Sequence, residues 1–142
     1  MKAILISGLI VLSFPVSAAS PLWSSSSKDF GEGRSDFLLR EVERRPRSSL
    51  LEMEVRNIGA SVGSSMIIAC MLTRLAEERG RYRYVIKVDF PDTNPERMLV
   101  GFSHKPSEKP QSIDPELPDS AIEVDLEVFG PDFNKSCRAK KR

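Results

Sequence analysis

The sequence predicts an α+β domain in the order α-β-α-β-β-β, with a mostly antiparallel four-stranded sheet and the central helix packed on one of its faces. Three observations predict it. Residues 49–56 and 82–90 alternate apolar with polar side chains, the period of half-buried strands. Residues 64–79 carry apolar side chains at helical spacing between a Ser start and a Gly stop. Residues 105–120 hold four prolines and separate the last two strands by a long irregular loop.

The chain opens on an export signal. Lys2 precedes the apolar run Ala3–Phe14, Pro15 ends the run, and Val16-Ser17-Ala18 puts small residues at the −3 and −1 positions. That is the order of a secretory signal peptide, with cleavage expected after Ala18 or, second, after Ala19. The run is shorter than the ~20 residues of a bilayer span. The next apolar stretch, Met66 to Leu72, is shorter again, so no transmembrane segment is expected. No Cys follows the run, so a lipid anchor is not expected either. The organisation reads as a signal peptide over 1–18, a flexible Ser- and Gly-rich lead over 19–33, one α+β domain over 34–137 and a basic tail over 138–142. The expected location is periplasmic or secreted.

Each element has its own signal. Ser35 caps a first helix over 36–45, with Asp36 in its first turn, Arg44 and Arg45 in its last, and Pro46 as the stop. Phe37, Leu38 and Val42, with Leu39 beside them, would face the core. Leu51, Met53 and Val55 alternate with Glu52, Glu54 and Arg56 in the first strand. The loop 57–63 carries Gly59 and Gly63, whose spacing fits no phosphate-binding fingerprint, so it reads as a tight turn. Ile68, Leu72, Leu75 and Ala76 form the apolar stripe of the central helix, and Gly80 is its C′ residue. Strands follow over 82–90, 98–103 and 122–128, most simply as an antiparallel meander. The second sheet face would carry Glu52, Arg56, Lys87, Glu123 and Asp125, and so be solvated or covered only by the first helix.

The chemistry-bearing residues are few. With 21 Lys plus Arg against 20 Asp plus Glu, the charge balance argues against a nucleic-acid partner. One His and two Cys leave little for a metal cage, and neither a metal nor a cofactor is expected. Cys70 lies on the outer face of the central helix, and in an oxidising compartment a Cys70–Cys137 disulfide is expected. No C-x-x-C occurs, and His104 is the sole imidazole for a Cys nucleophile, so redox and Cys/His catalysis are poorly supported. Ser25 to Lys28 spells S-x-x-K inside a Ser run and reads as coincidence. Glu123, Asp125 and Glu127 share one side of the last strand and read as a solvated face, with acid/base work as the sharper alternative. Asp89, Asp92 and Asn94 lack the order of a calcium loop. Asn134-Lys135-Ser136 is a sequon. The 105–120 loop reads first as disorder or structural cover. As a functional element it is the chain's best candidate for partner contact, through His104, Lys105, Pro106, Pro110, Pro115 and Pro118.

The stretch 51–90 resembles a pattern in small bacterial envelope proteins and lipoproteins, where a strand leads to a helix ending near LAxxRG and then to a Tyr/Phe-rich strand. Leu75-Ala76, Arg79-Gly80 and Tyr82-Arg83-Tyr84-Val85 carry the likeness. It implies a fold and a compartment, with no catalytic residues to transfer, and this chain departs from it in lacking the lipobox Cys. The expected function is a non-catalytic binding or accessory protein of the cell envelope, whose partner is another envelope or secreted protein. Two alternatives are an inhibitor of a secreted enzyme acting through the 105–120 loop, and a hydrolase-like enzyme using the carboxylates of the last strand. Oligomeric state is not legible.

Overall fold

The computed structural model describes residues 22–30, 34–57 and 61–137. The signal-peptide and basic-tail expectations lie outside these residues. The described chain forms strands β1 (Ser24–Ser26), β2 (Asp36–Arg44), β3 (Ser48–Asn57), β4 (Tyr84–Phe90), β5 (Glu96–Ser103) and β6 (Ile122–Asp125). Helix α1 (Ser61–Gly80) connects β3 to β4, α2 (Pro110–Ile113) lies between β5 and β6, and α3 (Gly130–Ser136) follows β6. All six strands form one antiparallel sheet in the order β1-β2-β3-β5-β4-β6.

This corrects the expected α-β-α-β-β-β order and its four-stranded sheet. The first expected helix, over 36–45, is strand β2. Phe37 and Leu39 point to the core at period two, and Glu41 continues that inward row, 2% exposed. A buried acid at the third inward position hides the alternation from a hydropathy reading. Its carboxylate accepts from the Ser49 hydroxyl at 2.6 Å and from Arg44 at 2.6 Å, and pairs with Arg79 at 3.4 Å. Burial pushes the Glu41 pKa up, yet the bonds from Arg44, Ser49 and the Trp23 amide outweigh it and hold the group below its ordinary value. The Ser-rich run adds the sixth strand: β1 pairs Ser24 with Arg40, and the Ser27 hydroxyl bridges the Ser35 carbonyl and the Phe37 amide. Trp23 folds back against the core.

The meander is also corrected. β5 lies between β3 and β4, and β6 pairs with the outer edge of β4. β3 occupies the other edge of β5, so the last strand has to take the free side of β4. The start of β4 is then buried on both faces, with Val85 0% and Ile86 2% exposed. β6 ends at Asp125, earlier than its alternation suggests, because residues 126–129 turn away toward α3.

α1 lays Ile67, Met71, Leu72, Leu75 and Ala76 on Leu39, Leu51, Val100 and Phe102. Arg81, at φ 55°, takes the left-handed turn after the helix, and the Tyr82 amide bonds to the Ala76 carbonyl at 3.2 Å. On the opposite sheet face Ile86 and Leu99 pack with Ile113 and Leu117 of the 105–120 segment. That face was expected to be solvated or covered by a first helix, and half of it is capped. The other half carries an ion-paired row in which Glu52 meets Arg97 at 2.9 Å and Arg40 at 3.6 Å. Lys87, expected on the capped face, lies on the α1 side.

Candidate functional site

The proline-bearing segment leaves β5 at Ser103 and lies flat across the sheet. Pro110 opens α2 at its first turn, where a missing N–H costs no helical bond. Ile113 and Leu117, four residues apart, drop onto Gly101 of β5. A Cβ on Gly101 would sit 2.7 Å from Leu117 Cδ1 and 2.8 Å from Ile113 Cγ2, so only glycine admits this approach.

One buried acid, Asp114, and one half-buried acid, Glu108, fasten the cap. The Asp114 carboxylate accepts from the Ser48 hydroxyl, from Arg45 at 3.0 Å and from the Glu116 amide at 2.9 Å. Burial raises its pKa, but these three donors together pull it below the ordinary value. Glu108 takes both Nη atoms of Arg47, at 2.8 and 2.6 Å, and the Ser103 hydroxyl. Arg47 first and Ser103 second hold its pKa down to about 2. Arg45 and Arg47 flank Pro46 in the short β2–β3 connection, so one turn holds both ends of the cap. Further along, the Ser107 amide donates to Glu123 at 2.8 Å and Gln111 Nε2 donates to the Leu117 carbonyl at 2.8 Å.

Each expected site residue can now be placed. His104, Lys105 and Pro106 are exposed on a ridge at the start of the cap. The His104 ring stacks on Tyr82 at 4.3 Å, and Tyr82 stacks on Phe102 at 5.5 Å. Pro115 is exposed, while Pro110 and Pro118 are half-buried on the same segment. The six thus lie along one segment, residues 104–118, between β5 and β6. Cys70 and Cys137 are bonded, with their Cα atoms 5.0 Å apart, and the link seats α3 on the outer face of α1. Arg74 Nε adds a bond to the Cys137 carbonyl at 2.9 Å.

The acidic row of the last strand is broken up. Asp125 accepts both Nε and Nη2 of Arg83, at 3.0 and 2.9 Å, and those bonds keep its pKa below the ordinary value. Glu127 lies past the strand end and pairs with the same Arg83 at 3.1 Å. Ser25 is a buried strand residue, and Lys28 pairs with Asp36 at 3.3 Å, so the S-x-x-K spacing assembles no site. Asp89 is paired with Lys87 at 2.6 Å. Among the described residues, no group of three or more His, Cys, Asp or Glu could hold a metal ion, and no helix is long and apolar enough to cross a membrane.

The residues that sequence reasoning missed are Arg45, Arg47, Ser48, Glu108 and Asp114. Their trace was the pair of arginines around Pro46 and the two acids spaced between prolines. The fold defined here is a six-stranded antiparallel sheet with a long helix on one face and a latched proline-rich cap on half of the other. Comparison with known protein families, curated proteins and solved structures found no match.

Proposed function

We propose that this chain is an exported, non-catalytic binding or accessory protein of the cell envelope, and that it meets another envelope or secreted protein through the cap ridge. One observation carries the reading. His104, Lys105 and Pro106 are exposed on a segment whose acids Glu108 and Asp114 are latched to the sheet. A contact surface held in one conformation loses little entropy on binding. The disulfide supports the compartment, since such bonds persist where conditions are oxidising.

The two alternatives have less support. The cap's apolar side chains face the sheet, so it offers a ridge more than an inserting finger. Asp125 and Glu127 are both engaged by Arg83, which leaves a hydrolytic mechanism without a free acid/base pair on that strand.

A photo-cross-linking residue placed at Lys105, with a control at Arg40, tests the reading in intact cells of the native host. A discrete adduct at Lys105, absent at Arg40 and abolished by His104→Ala with Pro106→Ala, is expected. No adduct at Lys105, or equal adducts at both positions, would sink the proposal.

A further inference from the structure

A second surface lies on the opposite side of the sheet and is independent of the cap. A helix is ~10 Å wide and strands are ~4.8 Å apart, so one helix covers about two strands of six. α1 packs over β2, β3, β5 and the start of β4, and leaves a trough along its flank toward β6. The trough holds about 390 Å³ and is lined by Ile68 and Leu72 of α1, by Met53, Met98 and Val124 of the sheet, and by Phe129. Its polar groups are Ser65, Lys87, Asp89 and Glu96, of which the last three carry charge.

We propose that this trough binds the apolar chain of a single-chain amphiphile whose head group is uncharged or cationic. Size decides the kind of occupant. The lining crosses β3, β5, β4 and β6, which is three strand spacings or about 14 Å. Spread over that length, the volume leaves a mean section of about 28 Å², wide enough for one alkyl chain and too narrow to admit a whole helix. The volume also falls within the roughly 300–1,000 Å³ of small-ligand sites. Met53 and Met98 supply the unbranched side chains that adapt to a chain of variable shape. Charge decides the head group. Lys87 is neutralised by Asp89 at 2.6 Å, and Glu96 has no ion-pair partner among the described residues. Among the described residues one negative charge therefore remains beside the trough, which repels a carboxylate head and favours an ammonium. Ile122 and Phe129, 59% and 48% exposed, extend apolar surface from its outer edge.

The test uses the folded chain with ¹³C-labelled methionine methyls. Dodecylammonium, laurate and dodecyl maltoside are titrated below their micelle concentrations. Saturable shifts are expected at Met53 and Met98, with Met66, which is exposed outside the trough, unmoved. Laurate should bind at least fivefold more weakly than dodecylammonium, and Glu96→Gln should at least halve that gap. The proposal is overturned if no amphiphile gives saturable shifts at Met53 and Met98, if Met66 moves in parallel, or if laurate binds as tightly. It is equally overturned if an amphipathic Leu/Lys peptide moves those two methyls while the single chains do not, because the trough would then be a protein-docking surface.

Discussion

Replacing Gly101 probes the contact on which the cap rests. In Gly101→Ala the new methyl would lie 2.7 Å from Leu117 Cδ1 and 2.8 Å from Ile113 Cγ2. Both neighbours are enclosed, at 1% and 8% exposure, so they have little space to retreat into. Overpacking of this kind costs about 1–3 kcal/mol. Against it, alanine restricts the unfolded chain and recovers about 0.4–1 kcal/mol. The net expectation is a destabilisation of about 1–2 kcal/mol. Gly101→Val adds two further methyls and should lift the cap, which puts at stake the burial of Ile113 and Leu117 at about 1.5–3 kcal/mol each. Urea unfolding reads the stability change. Thermolysin reads the cap itself, because it cuts before Ile113 once that residue is exposed. The double variant Gly101→Ala with Leu117→Ala removes the nearest clash, so it should be at least about 1 kcal/mol more stable than the two single changes sum to. The reasoning fails if Gly101→Ala leaves stability unchanged, or if the two changes add without coupling.

Glu108 sets an acid dependence. Its folded pKa of about 2 lies below the ordinary 4.5, so its contribution is complete above about pH 4.5 and is lost as the pH falls toward 2. That gap corresponds to at most about 3–4 kcal/mol, and screening at a side chain still 12% exposed lowers it to about 1–2 kcal/mol. Glu108→Gln should flatten the stability loss between pH 5 and 2 in urea melts, and an unchanged slope would contradict the latch. The Cys70–Cys137 bond closes a loop 67 residues apart in sequence, which the chain-entropy relation values at about 4 kcal/mol. Replacing both cysteines with serine should cost about 2–4 kcal/mol and raise amide exchange over 130–137 first; equal stability with and without the bond would refute this.

Much of the layout was legible where side chains alternate cleanly. The strand over 49–56, the helix over 64–79 and the strand over 82–90 correspond to β3, α1 and β4, because apolar period and burial agree there. β2 was misread because its inward row ends in Glu41, and a charge that is buried by pairing looks solvated in a sequence. β1 was missed because a run of serines has no apolar signal, and pairing to β2 alone makes it a strand. The strand order was out of reach for another reason. Whether β6 joins β5 or β4 depends on which edge β3 has already taken. At the candidate site the exposed ridge residues were legible as a proline-rich segment. Their fastening was not, since Arg45 and Arg47 lie 61 to 71 residues from the acids they hold.

The turn around Pro46 reaches farther than the cap. Arg79 of α1 bonds to the Arg45 and Pro46 carbonyls of this turn, while the side chains of Arg45 and Arg47 hold Asp114 and Glu108 beneath the sheet. Three residues thus join the layer above the sheet to the layer below it. A free-energy change in either layer passes to the other through the same short joint. The expected consequence is that loosening the cap also lowers the protection of α1, which amide exchange in the two segments would read.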